Sequence, residues 1–359
     1  MKKNHVSLNN VIHYAGALIA LLLGSGFATG QEILQYFAAF GYKGLFGAFI
    51  FYILLSYIST AFIAAGYRED FQNSNDIFTY FCGKYIGRFL DYFCVLFNFL
   101  SFTVMISGAS ATGMEHYGWT NMTGAIFISV LTIVVVSLGL KNIVEIIGKI
   151  GPIIILISIF VAVVGIIMHV SNAENASEMA KVLIESGKVK TAGSNFIMAI
   201  ISYIGVNILW IAPFLSSIGK TGNSLKEVKK GTLYGSFGFS VAILLMACAI
   251  FFSIDKVGTS QIPTLLLAKE IHPMLSNVFS IIILIGIFTT AVPFLYNVIS
   301  RFFKEGDIQF KVVTIILGII GLYIGIALDF NILVNYVYGL SGFIGVIMFF
   351  FVIYKNIKK

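Results

Sequence analysis

The sequence predicts an all-α integral membrane protein that crosses a lipid bilayer about ten times. Three observations carry this expectation. Of 359 residues, 58% are hydrophobic and only 11% are charged, against about 25% charged in a soluble globular domain. The apolar residues fall in runs of about 20, the length a helix needs to cross about 30 Å of hydrocarbon. The strand-like alternation of a transmembrane barrel is absent. The 35 glycines fit this class, because glycine lets membrane helices approach closely.

Taken in order, the spans are expected at 14–38, 43–65, 89–113, 122–140, 147–170, 194–216, 231–253, 274–301, 312–329 and 332–354. The first follows Lys2 and Lys3 with no small-residue cleavage site close behind, so it reads as a retained helix and not a signal peptide. Most connections are short. Two are longer, about 66–88 and about 171–193. Basic residues test the layout, because they collect on the cytoplasmic side. With the N-terminus inside, 17 of the 23 Lys and Arg residues fall in inner segments, among them Arg68, Arg88, Lys226, Lys229, Lys230, Arg301 and Lys355. Six fall outside: Lys43, Lys181, Lys188, Lys190, Lys256 and Lys269. A missed span would scramble this bias. We therefore expect both termini in the cytoplasm. The net charge of +7 follows topology and gives no sign of a nucleic-acid partner. Ten spans divide into five and five, at about 14–170 and 194–354. An odd number per half sets the second half upside down, the inverted-repeat plan of many secondary transporters. The whole chain then reads as one transmembrane domain.

Chemistry concentrates in three spans. The first contains Gly24-Ser25-Gly26-Phe27-Ala28-Thr29-Gly30-Gln31-Glu32. Gly26 and Gly30 could serve close helix packing. Alternatively the helix breaks here, and backbone N–H groups at the start of a half-helix attract an anion such as a carboxylate. Glu32 favours the break, because a carboxylate at this depth needs a protein-lined or wet site. It is a candidate for proton coupling, for a gate or for pairing with a substrate amine. The sixth span reads Ser202-Tyr203-Ile204-Gly205-Val206-Asn207, with Pro213 further on. It predicts a second interruption, the alternative being a proline kink with Asn207 bonded to a neighbour. The eighth span carries Gly286, Thr289, Thr290 and Pro293. Two hydroxyls there either bond back to their own helix or offer oxygen ligands to a hard cation. Of the intramembrane amides Asn98, Asn207, Asn297 and Asn335, position favours Asn207 as a pathway residue. Only Glu32 among the 16 acidic residues reads as deep, with Asp91 near the inner mouth and the others in loops.

Gly24-Ser25-Gly26-Phe27 resembles the Gly-Ser-Gly-(Ile/Phe) signature in the broken first helix of the amino acid–polyamine–organocation superfamily. The stretch from Gly41 to Phe49 resembles the glycine-rich entry to the second helix of neurotransmitter-sodium-symporter-like proteins of LeuT-type fold. Across nearly its whole length the chain is similar to the YkvI-like bacterial membrane proteins. The resemblance implies a LeuT-type fold with broken first and sixth helices, in a bacterial cell membrane. It implies secondary transport of a small carboxylate-bearing solute such as an amino acid. Gly24, Ser25, Gly26, Phe27, Tyr203, Gly205 and Asn207 would line the substrate site. Ala20 and Leu23 carbonyls with Gly286, Thr289 and Thr290 would form a sodium site. Gln31-Glu32 stands near where those relatives place a gating arginine, so their outer gate does not carry over. A ligand-sensing receptor subunit of the same fold, similar to spore germinant receptor subunits, is the alternative. An enzyme is not expected. The cysteines (Cys82, Cys94, Cys248) and the five histidines lack metal-ligand spacing, and no phosphate-binding loop or nucleophile elbow occurs.

Overall fold

The computed structural model describes residues 7–69, 71–139 and 144–358, with the side chains of Ser25 and of 144–151 outside that description. The helices in chain order are α1 (Leu8–Leu22), α2 (Ser25–Thr29), α3 (Gln31–Tyr36), α4 (Tyr42–Arg68), α5 (Asp76–Tyr117), α6 (Asn121–Leu138), α7 (Val144–His169) and α8 (Ala173–Glu185). They continue as α9 (Phe196–Lys220), α10 (Leu225–Phe252), α11 (Ile254–Val257), α12 (Pro263–Ile271), α13 (Pro273–Ser300), α14 (Ile308–Ala327), α15 (Phe330–Leu333) and α16 (Gly339–Ile357). Among the described residues, nine helices are long and apolar enough to cross a membrane. The first expected span is not among these nine. α1 has only 15 residues, and the chain continues through α2 and α3.

The helices sort into two packed groups. α1, α4, α9 and α10 pack together, and α5, α6, α13 and α14 form a second group. α7 lies on α10, α12 and α13, and α16 packs on α9 and α5. A five-residue π-helical stretch, Val334–Tyr338, joins α15 to α16. Local chemistry starts several helices. The Asn195 side chain accepts from Met198 N at the head of α9 (3.0 Å), and Ser224 Oγ accepts from Glu227 N at the head of α10 (3.2 Å). Each satisfies a backbone donor that a helix start leaves unpaired.

Three expectations need correction. The sixth span is not broken, since α9 runs as one helix from Phe196 to Lys220. Its glycine serves packing: a Cβ on Gly205 would lie 1.8 Å from Gly342 O of α16. The stretch 66–88 is not a loop. α4 reaches Arg68 and α5 begins at Asp76, turning at Gly83 (φ 75°, ψ 177°). Hydropathy misses this helical start because Asp76, Lys84 and Arg88 interrupt its apolar residues. Glu227 is not a loop residue. It is buried, and its carboxylate accepts from Ser7 N (2.6 Å), seating the start of α1 on α10.

Candidate functional site

α1 ends because Leu23 (φ −85°, ψ 54°) and Gly24 (φ −76°, ψ −168°) leave helical geometry. The last carbonyls of α1 and the first N–H groups of α2 therefore lack the intrahelical partners they would have in a continuous helix. Gly30 (φ 76°) turns the chain again into α3 in a left-handed conformation that glycine adopts without strain. Thr264 Oγ1 of α12 donates to Ala28 O, pinning α2 to α12.

A cavity of 1010 Å³ lies against this break, between the two helix groups. Gly24, Gly26, Phe27 and Glu32 line it from the first span, and Leu209, Trp210, Pro213 and Phe214 from α9. Asn98 and Cys94 of α5, Asn297 of α13 and Tyr338 complete the wall. The cavity extends to Asn73–Asn75, Ser300 and Arg301. There Arg301 pairs with Asp91 (2.5 Å), and Asn75 Nδ2 donates to the same carboxylate (2.6 Å).

Glu32 sits at the deep end with 5% of its surface exposed. Its carboxylate rests on Gly26, where an added Cβ would lie 1.6 Å from Oε1. Tyr203 Oη donates to Oε2 over 3.4 Å. Beyond it, Tyr203 packs against the rings of Tyr36, Phe37 and Phe51 with centroids 4.8, 5.3 and 5.0 Å away. An amide network lies near this end, outside the cavity lining. Asn335 Nδ2 donates to Gln35 Oε1 (2.9 Å) and Thr191 O (2.8 Å), and Gln35 Nε2 donates to Asn331 O (2.8 Å). These bonds tie α3 to the π-helical stretch and to the segment before α9.

The candidate residues divide as follows. Gly24, Gly26, Phe27 and Glu32 share the cavity wall, while the Ser25 side chain lies outside the described residues. Ala20, Leu23, Gly286, Thr289 and Thr290 all line the cavity too. A Cβ on Gly24 would stand 3.8 Å from Thr290 Oγ1. Both threonines donate to Gly286 O, at 3.0 and 2.8 Å, which leaves their oxygens as acceptors. Tyr203 reaches the site only through Glu32. Gly205 and Asn207 are not in the wall: Gly205 faces α16, and Asn207 Nδ2 donates to Tyr203 O in its own helix (2.7 Å). Asn98 and Asn297 line the cavity instead. Trp210 was not anticipated. Its ring stacks on Phe294 (6.2 Å) and meets Tyr338 edge-on (5.4 Å), and its buried indole N–H has no partner. Aromatic character at that position was the one signal available, and in a chain with 34 phenylalanines it does not stand out.

No family model matches the chain. It is similar to the uncharacterized membrane protein YkvI of Bacillus subtilis, 25% identical over 332 residues, which is 91% of this chain and 90% of that protein. A second B. subtilis protein, YyaD, is 22% identical over 79% of each chain. Among solved structures, MhsT in complex with L-phenylalanine matches with a TM-score of 0.58 and 17% identity, over 94% of this chain and 88% of MhsT. A Na+-coupled sialic acid symporter in its substrate-bound outward-open state matches at 0.59 and 13%, over 97% and 82%. A manganese transporter of Eremococcus coleocola matches at 0.58 and 15%, over 96% and 78%. The chain therefore has the LeuT-type fold that its motifs lead one to expect.

Proposed function

We propose that this protein is a secondary transporter of a small carboxylate-bearing solute, an amino acid, working by alternating access between its two helix groups. One observation carries the reading. A large cavity leads from exposed Asn73 and Arg301 to buried Glu32 at the break in the first span, and the Gln35–Asn335 bond lies outside its lining. A buried site reached from one side is what alternating access requires. The named activities of the structural neighbours, manganese transport and Na+-coupled sialic acid symport, support the class and leave the solute open.

The first N–H groups of α2, which have no intrahelical acceptor, and the Trp210 N–H, without a partner among the described residues, supply groups for a carboxylate. Glu32 beside them suits a substrate amine or a transported proton. The two inverted halves, about 14–170 and 194–354, each contribute helices to both groups, and the groups would move against each other. The open end carries Asp91 and Arg301, which the distribution of basic residues puts in the cytoplasm of a bacterial plasma membrane. The donor set fits sodium: hard cations take oxygen ligands, and Ala20 and Leu23 carbonyls with the Thr289 and Thr290 hydroxyls would hold it.

Reconstitution into proteoliposomes tests this. Purified protein should take up a labelled amino acid faster with an inward sodium gradient than with potassium. Thr289→Ala combined with Thr290→Ala should remove that difference. Binding without net flux would replace transport by ligand sensing. Sodium stimulation that persists in the double variant would remove the ion site.

A further inference from the structure

We propose a second binding site, for the phosphodiester headgroup of an anionic phospholipid, outside the transport pathway. A separate cavity of 470 Å³ lies where the Arg68 end of α4, the start of α5, the start of α10 and the last turn of α16 converge. Arg68 and Lys229 line it, and no acidic residue does. Neither cation has an acidic partner among the described residues. The wall also holds Ser56 and Thr60, one helical turn apart on α4.

The charge of this lining carries the argument, and two hydroxyls add to it. Ser56 is 9% exposed, and neither Ser56 Oγ nor Thr60 Oγ1 has a hydrogen-bond partner. Membrane serines and threonines commonly bond back to their own helix, as Thr232 does to Val228 O (2.7 Å) and Thr314 to Phe310 O (2.7 Å). A buried hydroxyl left unpaired costs free energy. The two hydroxyls and the two cations share one pocket wall that holds no carboxylate, with Ser56 and Thr60 about 18 and 12 Å along α4 from Arg68, so an extended headgroup with its phosphodiester at the cations suits this lining. Its position selects the source. Arg68, Lys229 and Lys355 mark one end of the bundle, and Lys355 is held over the Tyr80 ring at 3.2 Å. Tyr57 and Leu233, both exposed, flank the opening with apolar surface suited to acyl chains. Basic pockets between helices at a membrane face bind anionic headgroups. A lipid phosphodiester therefore fits better than a free anion. The lining residues of this pocket and of the transport cavity do not overlap, so the proposal stands apart from the transport reading.

The test titrates detergent-solubilised protein with short-chain phosphatidylglycerol, phosphatidylcholine or inorganic phosphate. Bound lipid is counted by native mass spectrometry and the melting temperature is followed. Wild type should bind one phosphatidylglycerol and melt higher, with little response to the other two. Arg68→Gln with Lys229→Gln should weaken binding about thirtyfold, at about a fivefold loss per basic contact. Lys304→Gln with Lys311→Gln, at the same membrane face but remote in sequence, should leave binding unchanged. Thr60→Val, at a half-buried position, tests the hydroxyl and should weaken binding severalfold if the charge variant fails to fold. Equal loss in the Lys304/Lys311 control would reduce the effect to general charge and overturn the site. An equal response to phosphatidylcholine or to phosphate alone would overturn the lipid assignment.

Discussion

The first span and α9 carry similar ingredients at mid-membrane, glycine beside polar side chains, yet the chain leaves the helix in one and not in the other. In the first span Gly24 stands in an open wall, where an added Cβ would meet Thr290 Oγ1 at 3.8 Å and Leu21 O at 4.0 Å, both ordinary van der Waals distances. Nothing there compels the backbone to stay regular, and α1 stops. In α9 the glycine is clamped. Gly205 and Gly345 pack backbone to backbone, since a Cβ on Gly345 would lie 2.1 Å from Gly205 O. Close helix packing of this kind keeps α9 straight through the same depth. Glycine in a membrane helix thus marks either a break or a tight contact, and the neighbour decides which.

The largest expected effect tests the broken side. Glu32→Gln removes the charge while keeping the shape and the Tyr203 contact. We expect accumulation against a gradient to vanish, by a hundredfold or more, with the fold intact by circular dichroism. Uptake against a gradient that survives in Glu32→Gln would show that this carboxylate does not couple.

A paired glycine experiment sharpens the contrast. In Gly26→Ala the new methyl meets the Glu32 carboxylate, the mobile end of a side chain. Glu32 can swing away, so uptake should fall at least tenfold while the melting temperature changes little. In Gly205→Ala the methyl meets Gly342 O at 1.8 Å and Val346 N at 2.9 Å, both backbone. The helices must separate, at the cost of overpacking, about 1–3 kcal/mol and sometimes more. That loss should appear as a lower melting temperature and poor yield. A Gly205→Ala protein that is fully stable but inactive would restore the role that the sequence pattern assigns to the sixth span.

Much of this was legible in the residues alone. Nine of the predicted spans correspond to continuous helices because long apolar runs leave a chain little else to do in lipid. The Gly24-Ser25-Gly26 break was legible because glycine is a poor helix former and Glu32 needs company at that depth. The five candidates for the ion site meet in one wall, from two spans more than 250 residues apart in sequence. What stayed hidden depends on helix rotation and on partners. Position in the sequence favoured Asn207 over Asn98 and Asn297, yet only the latter two turn toward the cavity. Gln35 and Asn335 bond to each other across 300 positions, and neither predicts that contact alone.

Pro213 supplies the smallest and most specific test. It interrupts α9 chemically without breaking it. Proline has no N–H, so the carbonyl four residues earlier loses its helical donor. That carbonyl belongs to Leu209, and Cys94 Sγ of α5 donates to it at 3.5 Å. A thiol is a weak donor, but it is what keeps the freed carbonyl paired at the edge of the cavity. Cys94→Ala leaves Leu209 O without that partner and should lower stability by about 1 kcal/mol, seen as a modest drop in melting temperature with uptake retained. Cys94→Ser, which restores a hydroxyl donor, should recover most of the loss. If both variants melt with wild type, the carbonyl has no need of Cys94, and the continuity of α9 rests on its glycine contacts alone.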